Sequence, residues 1–144
     1  MKLYTIGFTR TSAQSFFERL QQAQVTRVID VRLHNTSHLA GFAKRDDLRF
    51  FLNAIGAIDY LHLVELAPTE AMFVEYTKRG LAWDEYARRF LALLRRRGIE
   101  RSLSRELLAN ACLLCTEPTA HTCHRRLVAG YLAATWRDIT IEHL

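Results

Sequence analysis

No apolar run in the sequence approaches the roughly 20 residues that cross a bilayer, which excludes a membrane-spanning helix. The opening MKLYTIGF enters a strand pattern directly and has none of the layout of a secretory leader. Cysteine is scarce and odd in number, three in 144 residues, so no disulfide framework is expected and a reduced, cytoplasmic protein is. Internal repeats, low-complexity tracts and Pro/Gly/Ser linkers are all missing, and one α/β domain over residues 1–144 follows. Acid is nearly absent from residues 88–105, where Arg88, Arg89, Arg95, Arg96, Arg97, Arg101 and Arg105 accompany only Glu100. What is present is a globular composition, 49% hydrophobic and 24% charged, with a net charge of +5.

Short apolar runs alternate with helical periods. KLYTIGF (2–8) and RVIDVR (27–32) are strand-like, and between them Ala13, Phe16, Phe17 and Leu20 fall on one helical face behind a Thr11/Gln14 capping box. Leu48, Phe51, Leu52 and Ile55 form a second stripe, with Asp46 and Asp47 at its dipole-positive start and Gly56 at its stop. IDYLHLV (58–64) predicts a third strand, residues 70–79 and 83–97 two helices divided by Gly80, NACLLCTE (110–117) a fourth strand, 123–136 a helix and DITIEHL a fifth strand. This alternation predicts a three-layer, Rossmann-like α/β fold: a mostly parallel five-stranded sheet with helices on both faces. Ligands of such sheets sit at the carboxyl ends of the strands. The segments there are 9–12, 33–45, 65–69 and 116–122, and the second is long for such a connection.

The densest chemistry lies in LLCTEPTAHTCHRRLVAGYL (113–132). Cys115 falls at a strand end, and Thr122 as N-cap would put Cys123, His124 and Arg125 in the first helical turn. Free amides and the helix dipole favour a thiolate at Cys123 there, and Arg125 would grip an anion. Cys123 is the first choice of nucleophile and Cys115 the second. Because successive helix residues diverge, a base for Cys123 is sought at His121, His34 or His38, with His124 able to pack beneath the sheet. CLLC has the spacing of a zinc or redox pair, but Cys112 and Cys115 on a strand point to opposite faces. A Cys115–Cys123 redox pair is a further option.

A second cluster, DVRLHNTSH, brings Asp30 and Arg32 to the end of a strand, followed by His34, Asn35, Ser37 and His38. Arg32, Asn35 and Ser37 are candidate anion ligands, or Asp30 and Arg32 simply form a local ion pair. Glu65 and Glu117 are candidate acids or bases at the same rim. The arginines of helix 83–97 lie opposite an apolar stripe of Trp83, Tyr86, Ala87, Phe90 and Leu94. They make either a solvated face or a surface that follows a phosphate backbone.

Taken together, YTIGFTRTSAQSFFERL, VIDVR, SHLAGFAKRDDLRFFL and above all LLCTEPTAHTCHRRLVA resemble the DUF488 family, a domain of unknown function. The last segment matches a pattern of Cys, Glu, Cys-His-Arg at fixed spacing. The Pro-x-Ser that other branches carry after D-V-R is replaced here by LHNTS. The resemblance implies an α/β fold and one site formed by Arg32, Cys115, Glu117, Cys123, His124 and Arg125; it implies no reaction. The leading expectation is a small thiol-dependent enzyme acting on an anionic, phosphate-bearing small molecule or nucleic acid, with no cofactor and no metal. A non-catalytic nucleic-acid module using Arg88–Arg105 is the first alternative, and a Cys/His metal or redox protein the second.

Overall fold

Five short strands form one sheet in the order β3-β2-β4-β1-β5, and every pairing is parallel. They are β1 (Lys2–Gly7), β2 (Arg27–Asp30), β3 (Asp59–His62), β4 (Ala111–Cys115) and β5 (Thr140–His143). The computed structural model describes residues 1–36, 40–117 and 119–144, so Ser37 and His38 lie outside the described residues.

Helices α1 (Ala13–Gln22) and α2 (Arg45–Gly56) cover one face, where Phe16, Phe17, Leu20, Leu48 and Leu52 pack on Tyr4, Ile6, Val28, Cys112 and Leu114. The other face carries α4 (Trp83–Arg97) and α7 (His124–Trp136), which bury Phe90, Leu94, Val128 and Leu132 against Leu3, Ile29, Leu113 and Cys115. The three layers expected from the alternating pattern are therefore present, and Cys112 and Cys115 do fall on opposite faces. Helix α3 (Glu70–Lys78) and the short α5 (Ile99–Ser102) and α6 (Arg105–Leu108) fill the long connection from β3 to β4. Among the described residues, no helix is long and apolar enough to cross a membrane.

The caps differ in detail from the sequence expectation. Ser12, not Thr11, opens α1, with its Oγ accepting the Ser15 amide at 3.1 Å. Thr11 instead donates its hydroxyl to the Thr9 carbonyl within the preceding turn. Helix α2 runs through Gly56, and its left-handed end residue is Ala57 (φ 51°). Cys123, rather than Thr122, is the N-cap of α7, with extended backbone (φ −125°, ψ 137°) and no side-chain cap, so the helix begins at His124.

Strand order decides where a site can form. The chain leaves β1 toward β2 and β3 across the first face, and leaves β4 toward β5 across the second. Neighbouring β1 and β4 thus send their connections in opposite directions, which opens a crevice beyond their carboxyl ends.

Candidate active site

Beyond that edge the chains leaving β1 and β4 run against each other. Thr9 donates both its amide (3.1 Å) and its hydroxyl (2.7 Å) to the Thr116 carbonyl. Gly7 lies so close to the next peptide that a Cβ on it would stand 1.6 Å from the Glu117 carbonyl oxygen, so only glycine fits. Arg125 fastens the same peptide, with NH1 donating to the Glu117 carbonyl at 2.6 Å and Nε to the Thr5 hydroxyl at 3.3 Å. The Thr5 hydroxyl, which accepts from Arg125, also shares a hydrogen bond of 2.6 Å with Nδ1 of His143. Burial, then the charges of Arg125 and Arg126, hold the His143 pKa below its ordinary value.

A cavity of about 370 Å³ opens over the end of β4. Cys115, Cys123 and His124 line it, Phe8, Phe73, Tyr76, Trp83 and Tyr86 supply aromatic walls, and Arg32, His34 and Glu117 are its charged or titratable margin. Tyr76 and Tyr86 are stacked with centroids 4.5 Å apart, and Trp83 leans on both. This aromatic wall was missed in the sequence, where Trp83 and Tyr86 were assigned to an ordinary core stripe. The signal available was the short Gly80 turn, which folds α3 back on α4 and brings Tyr76 to Trp83 and Tyr86.

At the base of the cavity, Cys115 Sγ lies 3.4 Å from Nδ1 of His124. Nε2 of His124 is 2.6 Å from the Val31 carbonyl. A carbonyl only accepts, so Nε2 carries the ring hydrogen and Nδ1 is left to accept from the Cys115 thiol. The ring is also held edge-on to Phe90, at 5.6 Å between centroids. Burial on its own would raise the Cys115 pKa. The thiol of Cys123, the Thr116 amide and the charge of Arg125 outweigh it and bring the Cys115 pKa below its ordinary value. Cys123 moves the other way, pushed up by its hydrogen bond to Cys115 and by burial. Cys123 caps α7 instead of occupying its first turn, so the free amides expected to face its sulfur belong to the helix that begins at His124. Among the described residues, His124, rather than His121 or His34, is the imidazole at the thiols. His121 is exposed outside the cavity, and His34 pairs with Glu70 at 2.9 Å.

Arg32 is at the cavity and also tied to Asp30, through Nε (2.8 Å), NH2 (2.7 Å) and its own amide (3.1 Å). Burial would depress its pKa, but the hydrogen bonds and charge of Asp30 prevail and raise it. Tyr60 adds a fourth hydrogen bond to Asp30 at 2.6 Å, and burial followed by the carboxylate charge raises the Tyr60 pKa. The guanidinium lies over the Phe8 ring, 5.2 Å from its centroid, and no partner for NH1 is found among the described residues. Two expected anion ligands are not on the cavity wall. Arg125, only 1% exposed, is spent on Thr5 and Glu117, and Asn35 is buried behind Arg32, donating to Tyr60 at 3.3 Å. Glu117 does line the cavity, whereas Glu65 does not.

A family model described as Domain of unknown function DUF488 matches residues 12–132. The chain belongs to the DUF488 family. The DUF488 match takes in Asp30, Arg32 and the whole Cys115–Arg125 segment, while β1 with its T-I-G and the closing β5 fall outside it. No curated protein and no solved structure matches this DUF488 chain.

The arginine run of this DUF488 protein is largely paired off. Arg88 and Arg89 share Glu85, Arg89 also reaches Glu75, Arg101 meets Glu100 and Arg105 meets Asp138. Arg97 donates to the Glu65 and Ala67 carbonyls at 2.7 and 2.6 Å. Only Arg95 and Arg96 have no ion-pair or hydrogen-bond partner among the described residues, and both are exposed. Except for Glu100, the acids (Glu75, Glu85 and Asp138) lie outside residues 88–105, which is why that stretch looks so unbalanced when read alone.

Proposed function

We propose that this protein is a thiol-dependent enzyme whose substrate joins a planar, apolar body to an anionic group. The observation that supports it is the 3.4 Å contact between Cys115 Sγ and His124 Nδ1 at the base of a cavity walled by aromatic rings. In the proposed reaction His124 takes the Cys115 proton on Nδ1 while Nε2–H stays on the Val31 carbonyl. The thiolate attacks an electrophilic centre, the leaving group departs with the proton from imidazolium, and water then releases the enzyme. The Cys123 thiol lies within 4.8 Å of the Cys115 sulfur, where it would stabilise the thiolate before attack. Aromatic walls suit stacking on a flat ring, and NH1 of Arg32 suits an anionic oxygen, a combination that a nucleotide offers. Glu117, which lines the cavity, would serve the water or the leaving group. The chemistry needs reduced thiols, so a reducing, cytoplasmic compartment belongs to the proposal.

Alkylation of the metal-free protein by iodoacetamide at pH 7, read by peptide mass spectrometry, is the test. Cys115 should react well ahead of Cys112, which is fully buried on the opposite face with its pKa raised by burial. His124→Ala should slow the Cys115 reaction, and a nucleoside monophosphate should protect it. Equally slow modification of all three cysteines would overturn the reading.

A further inference from the structure

We propose that Cys115, Cys123 and His124 also form a binding site for one soft divalent cation, zinc in the first instance. This goes beyond the thiol chemistry and does not depend on it. The ligand atoms of these three residues all lie within 4.8 Å of one another. Zinc bonds of about 2.3 Å to sulfur and about 2.0–2.1 Å to nitrogen, set at the tetrahedral angle, separate those ligands by roughly 3.5 Å. The observed Cys115 Sγ to His124 Nδ1 distance is 3.4 Å. One edge of the coordination tetrahedron is thus already built.

The far side of the ring supports the same assignment. A metal-bound imidazole characteristically donates its other N–H to a fixed acceptor, which sets the tautomer and the ring plane. Here Nε2 faces the Val31 carbonyl at 2.6 Å, leaving Nδ1 to the Cys115 sulfur, with the Cys123 sulfur in the same cluster. Val31 itself is fully buried between Asp30 and Arg32, so this acceptor cannot drift.

Ligand type narrows the ion. Two sulfurs and one imidazole, with no carboxylate in the cluster, suit zinc or its cobalt and cadmium surrogates and exclude magnesium and calcium as preferred occupants. Binding would displace the two thiol protons, and two thiolates with a neutral imidazole leave a centre of zero net charge, suited to a buried place. Three protein ligands leave a fourth position, which opens on the aromatic cavity. That is the arrangement of a catalytic rather than a structural zinc site. Cys112, the other half of CLLC, takes no part because it faces the α1–α2 layer. With the ion bound, Cys115 is a ligand and not a nucleophile, so the metal and thiol chemistries exclude each other at any instant.

The experiment is a cobalt(II) titration of the reduced, chelator-treated full-length protein, followed by displacement with zinc. One equivalent should produce a thiolate-to-cobalt charge-transfer band with the visible bands of a tetrahedral ion, and zinc should abolish both. Cys112→Ser should bind as wild type does. Cys115→Ser, Cys123→Ser and His124→Ala should each lose at least about 100-fold in affinity, with circular dichroism confirming that each is folded. Absence of the charge-transfer band in the folded wild type, or equal binding by Cys115→Ser, would overturn the site. Rapid Cys115 alkylation without a cobalt band would leave the thiol enzyme standing alone. A cobalt band with uniformly slow alkylation of the metal-free protein would leave the metal site alone.

Discussion

Replacing Arg32 by alanine probes the frame on which the candidate site rests. Asp30 is fully buried and accepts four hydrogen bonds, three from Arg32 and one from Tyr60. The substitution removes the two from the guanidinium and leaves the carboxylate held by the residue 32 amide and the Tyr60 hydroxyl. Breaking a buried pair from one side costs about 3–5 kcal/mol, because the remaining charge is stranded. Losing the contact with Phe8 adds about 0.5–1 kcal/mol. The two surviving donors offset part of this, so a net loss of about 3–4 kcal/mol is expected. For a chain of this size that corresponds to a fall of roughly 10 °C in the melting temperature. Urea unfolding at pH 7, followed by tryptophan fluorescence and by circular dichroism, measures it. Asp30→Asn combined with Arg32→Met should be less destabilised than Arg32→Ala alone, since no charge is left unpaired. An Arg32→Ala protein within about 1 kcal/mol of wild type would refute the reasoning, because a pair that cheap to break is not excluded from water.

Gly7→Ala should cost more than about 3 kcal/mol or prevent folding, since the new methyl would meet the Glu117 carbonyl at 1.6 Å and backbone cannot step aside as a side chain does; an unchanged urea midpoint would show that the β1 and β4 exits part freely. Glu85 has its pKa lowered from 4.5 to about 2 by hydrogen bonds from Arg88 and Arg89. Its contribution to stability is therefore complete above about pH 4.5 and lost as pH falls toward about 2. Glu85→Gln should be less stable than wild type at pH 7, with the gap closing across that window in acid titrations; a gap independent of pH would contradict it. Arg95→Ala with Arg96→Ala should leave stability within about 0.5 kcal/mol of wild type, both side chains being exposed and unpartnered among the described residues.

Much of the fold could be read locally because its signals are local. The limits of α3 and α4 were placed to within one residue: Thr69 caps α3 through the Met72 amide, and Gly80 and Gly98 take positive φ after each helix. The short α5 and α6 were not anticipated, since four residues make barely one turn and carry no periodicity. The left-handed residue after α2 was assigned to the glycine, but it is Ala57. Gly56 stays helical close to Ile58, where a Cβ would come within 3.1 Å of the Ile58 side chain. The aromatic wall and the pairing of the arginines depend on how helices pack against one another, which no single stretch of sequence states.

The Cys-His-Arg segment shows the same boundary inside three residues. Successive helical side chains point about 100° apart, but Cys123 is the extended N-cap of α7 and not a helical residue, so its sulfur and the His124 ring lie in one cluster. The rule does not say that a third group, Cys115 at the end of β4, lies where both of them reach it. One residue further round, the side chain leaves the cavity altogether, and Arg125 turns to β1 to hold Thr5 and the Glu117 carbonyl. An arginine beside two cysteines suggests an anion site only if all three share a direction. Here the divergence turns His124 to the cavity and Arg125 to the loop that bears Glu117. In the proposed reaction the cation that meets the substrate is therefore Arg32, which follows β2 and is already tied to Asp30.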